Sequence, residues 1–360
     1  MWKNVNAVAN LSRVLATGTA LVLALACPAL AADGDRPSDH AEVIGSIRHH
    51  TIVGEETLLQ VARENGLGYI EFMAANPGID PWVPGIGTDV VVPDMHVLPD
   101  APRRGIVINL TDMRLFLFSP RGDVVGTWPI GIGQEGCMTP LGTTRVVKKE
   151  LNPTWIPPAS IREEKPDLPA AIPPGPDNPL GDRALYLGWP RFLIHGTNKP
   201  YGVGRRVSHG CIRLYPEHIV ELYRQVPIGT PVTVVDQVVV LGWRDGALYL
   251  QVLPSKDQAD QIEAEGRFDP EPLPDLRDKV LAAAGDRADA VDWRAVDRAA
   301  VERRGVPVLI LGGGAVPSSE DSGGDEMKES SGGPAAGMAT GVPPAGGGSR
   351  ETIPTIPPIH

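Results

Sequence analysis

Ile194-His195-Gly196-Thr197 and Ser208-His209-Gly210-Cys211-Ile212-Arg213-Leu214 are the two stretches on which the reading of this chain turns. Residues 196–207 separate the first histidine from the serine. A cysteine set among glycine-rich histidine motifs is an unusual density of reactive groups. A thiol attacks only as thiolate, and a free cysteine titrates near ~8.5, so it needs help at neutral pH. A nearby imidazole can take the proton and hold the pair as thiolate and imidazolium. His195 follows the apolar Phe192-Leu193-Ile194 and is expected at the end of a strand, held rigidly. Gly210 beside Cys211 leaves room for a substrate carbonyl to approach the backbone, and the amides there are expected to form an oxyanion site.

Two other chemistries compete for these residues. His195, His209, Cys211 and His218 could be zinc ligands, but the spacing of His209 and Cys211 is poor for a tetrahedral clamp and no carboxylate cluster joins them. No metal and no cofactor is therefore expected. A disulfide between Cys137 and Cys211 would leave a scaffold without chemistry. A free thiol in an oxidising compartment is a liability unless it reacts, which favours Cys211 as nucleophile.

Outward from the motif, the chain from residue 105 to residue 236 reads as β-rich. Residues 106–110, 114–118, 124–130, 143–149, 184–187, 192–194 and 231–235 are short apolar or alternating runs with turn chemistry between them. Residues 153–179 are dense in proline and are expected to form a long surface loop without regular structure. One good helix is expected at 216–225, with Pro216 early and Ile219, Val220, Leu222 and Tyr223 apolar.

The motif residues resemble the L,D-transpeptidase catalytic domain, the YkuD-like family. The family pattern is a histidine, a gap, then Ser/Thr-His-Gly-Cys, an apolar residue and Arg or Asn. Pro129-Ile130-Gly131-Ile132-Gly133 and Thr139-Pro140-Leu141-Gly142-Thr143 are similar to further family segments. The resemblance implies that Cys211 is the nucleophile and His195 its base, acylating on the penultimate residue of a peptidoglycan tetrapeptide stem. It implies that Gly196, through its carbonyl, orients the imidazole. His209 and Gly210 would shape the oxyanion site, and Ser208 and Arg213 would hold substrate or the loop. Cys137 departs from the pattern. The acceptor is left open: a stem amine, an outer-membrane protein or lipoprotein, or water. Water would make the chain a carboxypeptidase or endopeptidase, and a non-catalytic wall-binding protein is the reading from outside enzymology.

Residues 48–97 form a smaller unit. Thr57-Leu58-Leu59-Gln60 is a capping box that opens a helix, and Asn65-Gly66 stops it. A second helix is expected at 69–75, with strands at 50–53 and 90–93. This pattern resembles the LysM glycan-binding module, carried by Thr51-Ile52-Val53, Gly54-Glu55-Glu56-Thr57-Leu58, Asn76-Pro77-Gly78 and Val92-Pro93, with Glu56 where the family has aspartate. The resemblance implies binding of glycan strands. The unit shares no motif residues with the catalytic stretch, and the link at 99–104 is short and polar, so the unit is expected to act only by localising the enzyme. The fold class expected is α+β: a βααβ module followed by a β-rich, sandwich-like catalytic domain with one main helix.

The remaining sequence sets the compartment. Lys3 and Arg13 flank an uncharged apolar run at 14–26, and Ala29-Leu30-Ala31 is a small-x-small cleavage site, so residues 1–31 read as an export signal. A periplasmic, wall-associated protein is expected. A net charge of −11 and the lack of a basic stripe exclude nucleic acid as a partner. Residues 237–311 read as an extension, with a hairpin around Arg244-Asp245-Gly246 and then helix-leaning sequence. Residues 312–360 are Gly, Ser and Pro rich and are expected to be disordered.

Overall fold

A computed structural model describes residues 41–312. The export signal expected at 1–31 and the tail beyond residue 312 lie outside the described residues. The chain begins with β1 (Val43–Thr51), α1 (Leu58–Glu64), α2 (Tyr69–Ala75) and β2 (Asp89–Val97), with β1 and β2 antiparallel. The capping box at Thr57 is present in both directions, Gln60 N to Thr57 Oγ1 at 3.2 Å and Thr57 N to Gln60 Oε1 at 3.0 Å. β1 starts at Val43, well before the strand expected at 50–53. Ladder pairing with β2 along its whole length overrides the weak local pattern there.

The next segment holds β3 (Gly105–Asn109), β4 (Arg114–Phe118), β5 (Val124–Pro129), β6 (Ile132–Gly133), β7 (Gly142–Leu151), α3 (Ala159–Glu164), β8 (Arg183–Leu187), β9 (Leu193–His195), β10 (Arg206–Ser208), β11 (Ile212–Arg213), α4 (Pro216–Gln225) and β12 (Pro231–Val235). Eight of these strands form one sheet in the order β11-β9-β8-β7-β12-β3-β4-β5, while β6 and β10 pair separately. The sheet curls at β7: residues 142–145 pair with β12 and the rest of the strand, from Val146, pairs with β8. A strand that changes partner along its length is how a sheet turns a corner.

The proline-dense segment is more ordered than its composition predicts. It contains α3 and a bridge between Trp155 and Ile172. Proline removes amide donors, so carbonyls here need partners from elsewhere. Asn178, fully buried, supplies them: its Nδ2 lies 2.8 Å from Pro153 O, 3.2 Å from Ile172 O and 3.1 Å from Pro173 O.

The C-terminal extension is folded. β13 (Val239–Arg244) and β14 (Ala247–Val252) make the expected hairpin, followed by α5 (Lys256–Glu265), α6 (Leu276–Ala284), α7 (Trp293–Glu302) and β15 (Val308–Leu311). β15 adds a third strand to the hairpin, which the four-residue run was too short to announce.

The main hydrophobic core disregards the expected module boundary. Ile52, Leu58, Phe72 and Val90 of the first unit belong to the same cluster as Ile108, Leu115, Ile194 and Ile212 of the sheet, Ile219 and Leu222 of α4, and Ile262 of α5. Each such side chain contributes about 1.5–3 kcal/mol on burial. The first unit is thus not separable at residues 99–104, because removing it would strip one wall from the core. Its docking is close as well. Ile70 N donates to Gly204 O at 3.1 Å, and a Cβ on Gly204, at φ +76°, would fall 2.2 Å from Tyr69 N. Arg63 makes a two-pronged pair with Glu217 of α4 at 2.9 and 3.0 Å.

A buried polar cluster seals this junction. Arg114, 1% exposed, reaches Glu71 Oε2 at 2.7 Å and Oε1 at 2.8 Å. His96 lies 3.6 Å from Glu71, yet neither of its ring nitrogens has a hydrogen-bond partner. Burial, then the charge of Arg114, hold the His96 imidazole well below its ordinary value, so it is a neutral neighbour of Glu71 and not an ion pair. Asp112 is pushed up to about 7 by burial and by the charge of Glu71, with Arg114 acting the other way.

The Asp112 shift has a defined sign. The folded state holds this proton more tightly than the unfolded chain, where a carboxyl titrates near ~4. Its stability contribution is full below that value and is lost as pH rises toward 7. Asp112→Asn should therefore gain thermal stability over the parent as pH rises from about 4 to 7, by on the order of 10 °C, and hold that gain above 7. Melting temperatures of the two proteins across pH 4–8 test this, and a constant difference would contradict it.

Candidate active site

β9 and β11 are neighbouring parallel strands, with Ile212 opposite Ile194 and Arg213 opposite His195. Ile194 and Ile212 are buried in the core. Side chains alternate along a strand, so His195 and Arg213 share the other face. Cys211 immediately precedes β11, and the charge of Arg213 acts on both its thiol and the His195 imidazole.

His195 is 3% exposed, and its Nδ1 lies 2.6 Å from Gly196 O. A carbonyl only accepts, so Nδ1 carries the proton and Nε2 is left as the base. Burial, and then the charge of Arg213, push the imidazole down to about 3, against the pull of the Gly196 carbonyl. Cys211 is a half-buried free thiol whose Sγ lies 3.5 Å from Arg191 O. Burial raises it, while the Leu193 amide and Arg213 oppose the rise. Burial works against both charged forms and so disfavours the thiolate–imidazolium pair expected from sequence, while Arg213 opposes the imidazolium but favours the thiolate.

The turn from Ser208 to Cys211 is latched from within. Ser208 is fully buried, accepts Gly210 N at 3.2 Å and donates to Cys211 O at 2.6 Å. It therefore shapes the turn and is not available to hold substrate. Gly210 sits at φ +98°, and a Cβ there would come within 2.9 Å of Phe192. Its amide serves Ser208, and its carbonyl accepts from Thr139 Oγ1 at 2.9 Å. The glycine is demanded by backbone conformation and packing, not by the approach of a substrate, and its amide is spent on the turn. His209 is engaged by Glu164 of α3, Nε2 to Oε2 at 3.1 Å. Arg213 has no ion pair among the described residues, and its Nε is buried without a partner. Sequence reasoning missed Thr139, Glu164 and Arg191. Thr139 lay within a quoted family segment, but the other two gave no signal.

Cys137 and Cys211 are both free. The segment carrying Cys137 packs against the catalytic turn: a Cβ on Gly210 would lie 3.4 Å from Cys137 O. His218, weighed as a metal ligand, instead stacks edge-on to Tyr215, with centroids 5.4 Å apart. Among the described residues no group of three or more His, Cys, Asp or Glu is placed to hold a metal.

Residues 103–234 match the YkuD family, the L,D-transpeptidase catalytic domain. The chain is 36% identical over 300 residues to the probable L,D-transpeptidase YcfS of Escherichia coli (strain K12), covering 80% of this chain and 91% of that protein. The chain belongs to the L,D-transpeptidase family. A second L,D-transpeptidase relative, the probable ErfK/SrfK of the same strain, is 34% identical and covers 86% of this chain and 98% of its own length. Among solved structures, the catalytic domain of the Enterococcus faecium L,D-transpeptidase is 25% identical, with 38% of this chain and 99% of that chain covered and a TM-score of 0.31.

The burial of this pair has a kinetic signature in this L,D-transpeptidase. Iodoacetamide alkylation of Cys211, followed in a Cys137→Ala background, should climb steadily from pH 6 to beyond about 8.5. It should show no step near 6.5, because His195 stays unprotonated throughout. Fast, flat alkylation from pH 5 upward would reveal a preformed ion pair and overturn this account.

Proposed function

We propose that the chain is an exported L,D-transpeptidase that remodels peptidoglycan through a Cys211 thioester. The observation that carries this reading is that Arg213, opposite His195 on the paired strand, acts by its charge on both the Cys211 thiol and the His195 imidazole, with the imidazole fixed by Gly196 O so that Nε2 is the free base. As Cys211 Sγ attacks the carbonyl of the penultimate stem residue, His195 Nε2 takes the thiol proton. The bond to the terminal D-alanine breaks, and the same proton passes to its leaving amine. An amine acceptor then loses its proton to His195 and attacks the thioester, which restores the thiol. Thiol and imidazole suffice, and no cofactor enters. Arg213, opposite His195 and without an ion pair among the described residues, suits a carboxylate of the stem. The acceptor is an amine of a second stem or of an outer-membrane protein or lipoprotein. The signal read at residues 1–31 supports a periplasmic location. No described helix is long and apolar enough to cross a membrane.

The first unit serves in this proposal as a LysM-like glycan-binding face. Its support is a set of exposed apolar side chains on neighbouring loops: Val53 at 60%, Trp82 at 56%, Val83 at 76% and Ile86 at 77%. Asp80 Oδ1 accepts the amides of Trp82 and Val83 at 2.8 and 3.0 Å and fixes this turn. An indole face is suited to stacking on a sugar ring. Asn76, by contrast, is buried and bonded to Phe72 O and to both backbone groups of Val91, so its part is structural.

Two outcomes are expected. Cys211→Ala should give no covalent adduct with a tetrapeptide stem by mass spectrometry, whereas Cys137→Ala should form it normally. An adduct surviving in the Cys211 variant would sink the assignment. Trp82→Ala, which leaves the core intact, should weaken sedimentation with purified sacculi by about tenfold, in line with the loss of one stacked aromatic worth about 1–1.5 kcal/mol. It should leave turnover of a soluble stem peptide unchanged. Unaltered sedimentation would leave the first unit a structural spacer.

A further inference from the structure

Residues 196–211 return the chain from β9 to the parallel strand β11 and end on the nucleophile. Within them β10 lies beside β6, and Gln134 N donates to Ser208 O at 2.9 Å. That two-stranded pair is short, and the eight-stranded sheet reaches it through Gly131, just before β6, which exchanges backbone hydrogen bonds with Arg213 at 2.8 and 2.9 Å. What holds its outer edge is α5 of the C-terminal extension, an element to which neither the motifs nor the family match at 103–234 gives any part.

Two consecutive arginines make the connection. Arg205 Nη1 meets Glu263 Oε1 at 2.9 Å, and its guanidinium lies 3.7 Å from the centre of the Tyr69 ring. Its backbone carbonyl accepts Ile132 N at 3.0 Å, so this residue is tied to β6 as well. Arg206 Nη1 meets Asp260 Oδ2 at 2.5 Å and Lys256 O at 2.8 Å. Both arginine side chains are largely buried, at 9% and 5% exposure. Glu263 and Asp260 lie three residues apart, on one side of α5. The helix itself is firmly built. Ser255 and Gln258 form a capping box, Gly266 closes the far end in the left-handed conformation, and Ala259 and Ile262 sit in the main core. Lys256 Nζ also reaches Asp236 Oδ2 at 2.6 Å, at the end of the last sheet strand.

We propose that Asp260 and Glu263 are positioning residues for Cys211, and that the C-terminal extension is part of the catalytic unit. They act through Arg205 and Arg206, which fix β10 and hence the latched Ser208–Cys211 turn that follows it. Neither carboxylate touches the thiol. Their effect is geometric, and nucleophile placement is steep in rate: a displacement of ~1 Å can cost on the order of a hundredfold. The inference rests on the reading of Cys211 as nucleophile.

The test compares full-length parent, Asp260→Asn, Glu263→Gln and Asp260→Glu on a soluble stem peptide, with Cys211→Ala alongside and melting temperatures for all. Asp260→Asn and Glu263→Gln should lower kcat by about 10-fold or more while KM changes by less than about twofold. Asp260→Glu, which keeps the charge, should recover most of the rate. Asp260 is half-exposed on its helix, so its amide variant is expected to fold; if it does not, Glu263→Gln alone decides the matter. Unchanged kcat in a folded variant overturns the proposal, as does a loss of rate that merely follows the loss of folded protein. Activity retained by Cys211→Ala would instead overturn the reading of the nucleophile, so the two failures are distinct.

Discussion

The parallel pairing of β9 with β11 is the constraint on which the rest of this molecule depends. Antiparallel neighbours can be joined by two residues, but parallel ones need a crossover of about a dozen or more. His195 ends one strand and Cys211 precedes the other, so the spacing between them in sequence is a crossover length. Seen this way the gap in the motif is structural information. A shorter connection would not let the two strands run the same way, and the register that sets Arg213 opposite His195 would be lost.

A crossover without its own core must be held by its neighbours. Fixing each backbone residue costs about 1–2 kcal/mol, and among residues 196–211 only Val203 is a fully buried apolar side chain. The supports therefore come from three sides. α2 donates to Gly204, α5 takes Arg205 and Arg206, and the segment carrying Thr139 caps Gly210. This accounts for a core that runs from Ile52 to Ile262 without a break at the expected boundaries.

The chemistry was legible in the sequence because it is local. The His-Gly-Cys turn, the Gly196 carbonyl beside His195, the capping box at Thr57 and the helix at Pro216–Gln225 all depend on residues within a few positions of one another. What was not legible depends on distant partners. Ser208 reads as a polar residue ready for substrate until the fold buries it. The ion-pair expectation for Cys211 and His195 leaves out the burial that works against both charged forms, since solvation is a property of the assembled site and not of the motif. The proline-dense segment read as irregular because the side chain that satisfies its carbonyls, Asn178, lies near its far end.

These two levels meet at Arg213. As a sequence position it is the residue after an apolar one in a motif. In the fold it is a cation with no ion pair among the described residues, and its charge acts on both the thiol and the imidazole. Its charge works in opposite directions on them in terms of reactivity. It eases ionisation of the thiol, and it discourages protonation of the imidazole. A site with this arrangement favours a base that passes its proton on over one that stores it. In the proposed mechanism an imidazolium formed during attack would pass its proton readily to the departing amine, and a stem carboxylate at Arg213 would offset the charge that works against the imidazolium, leaving burial as the larger opposing cause.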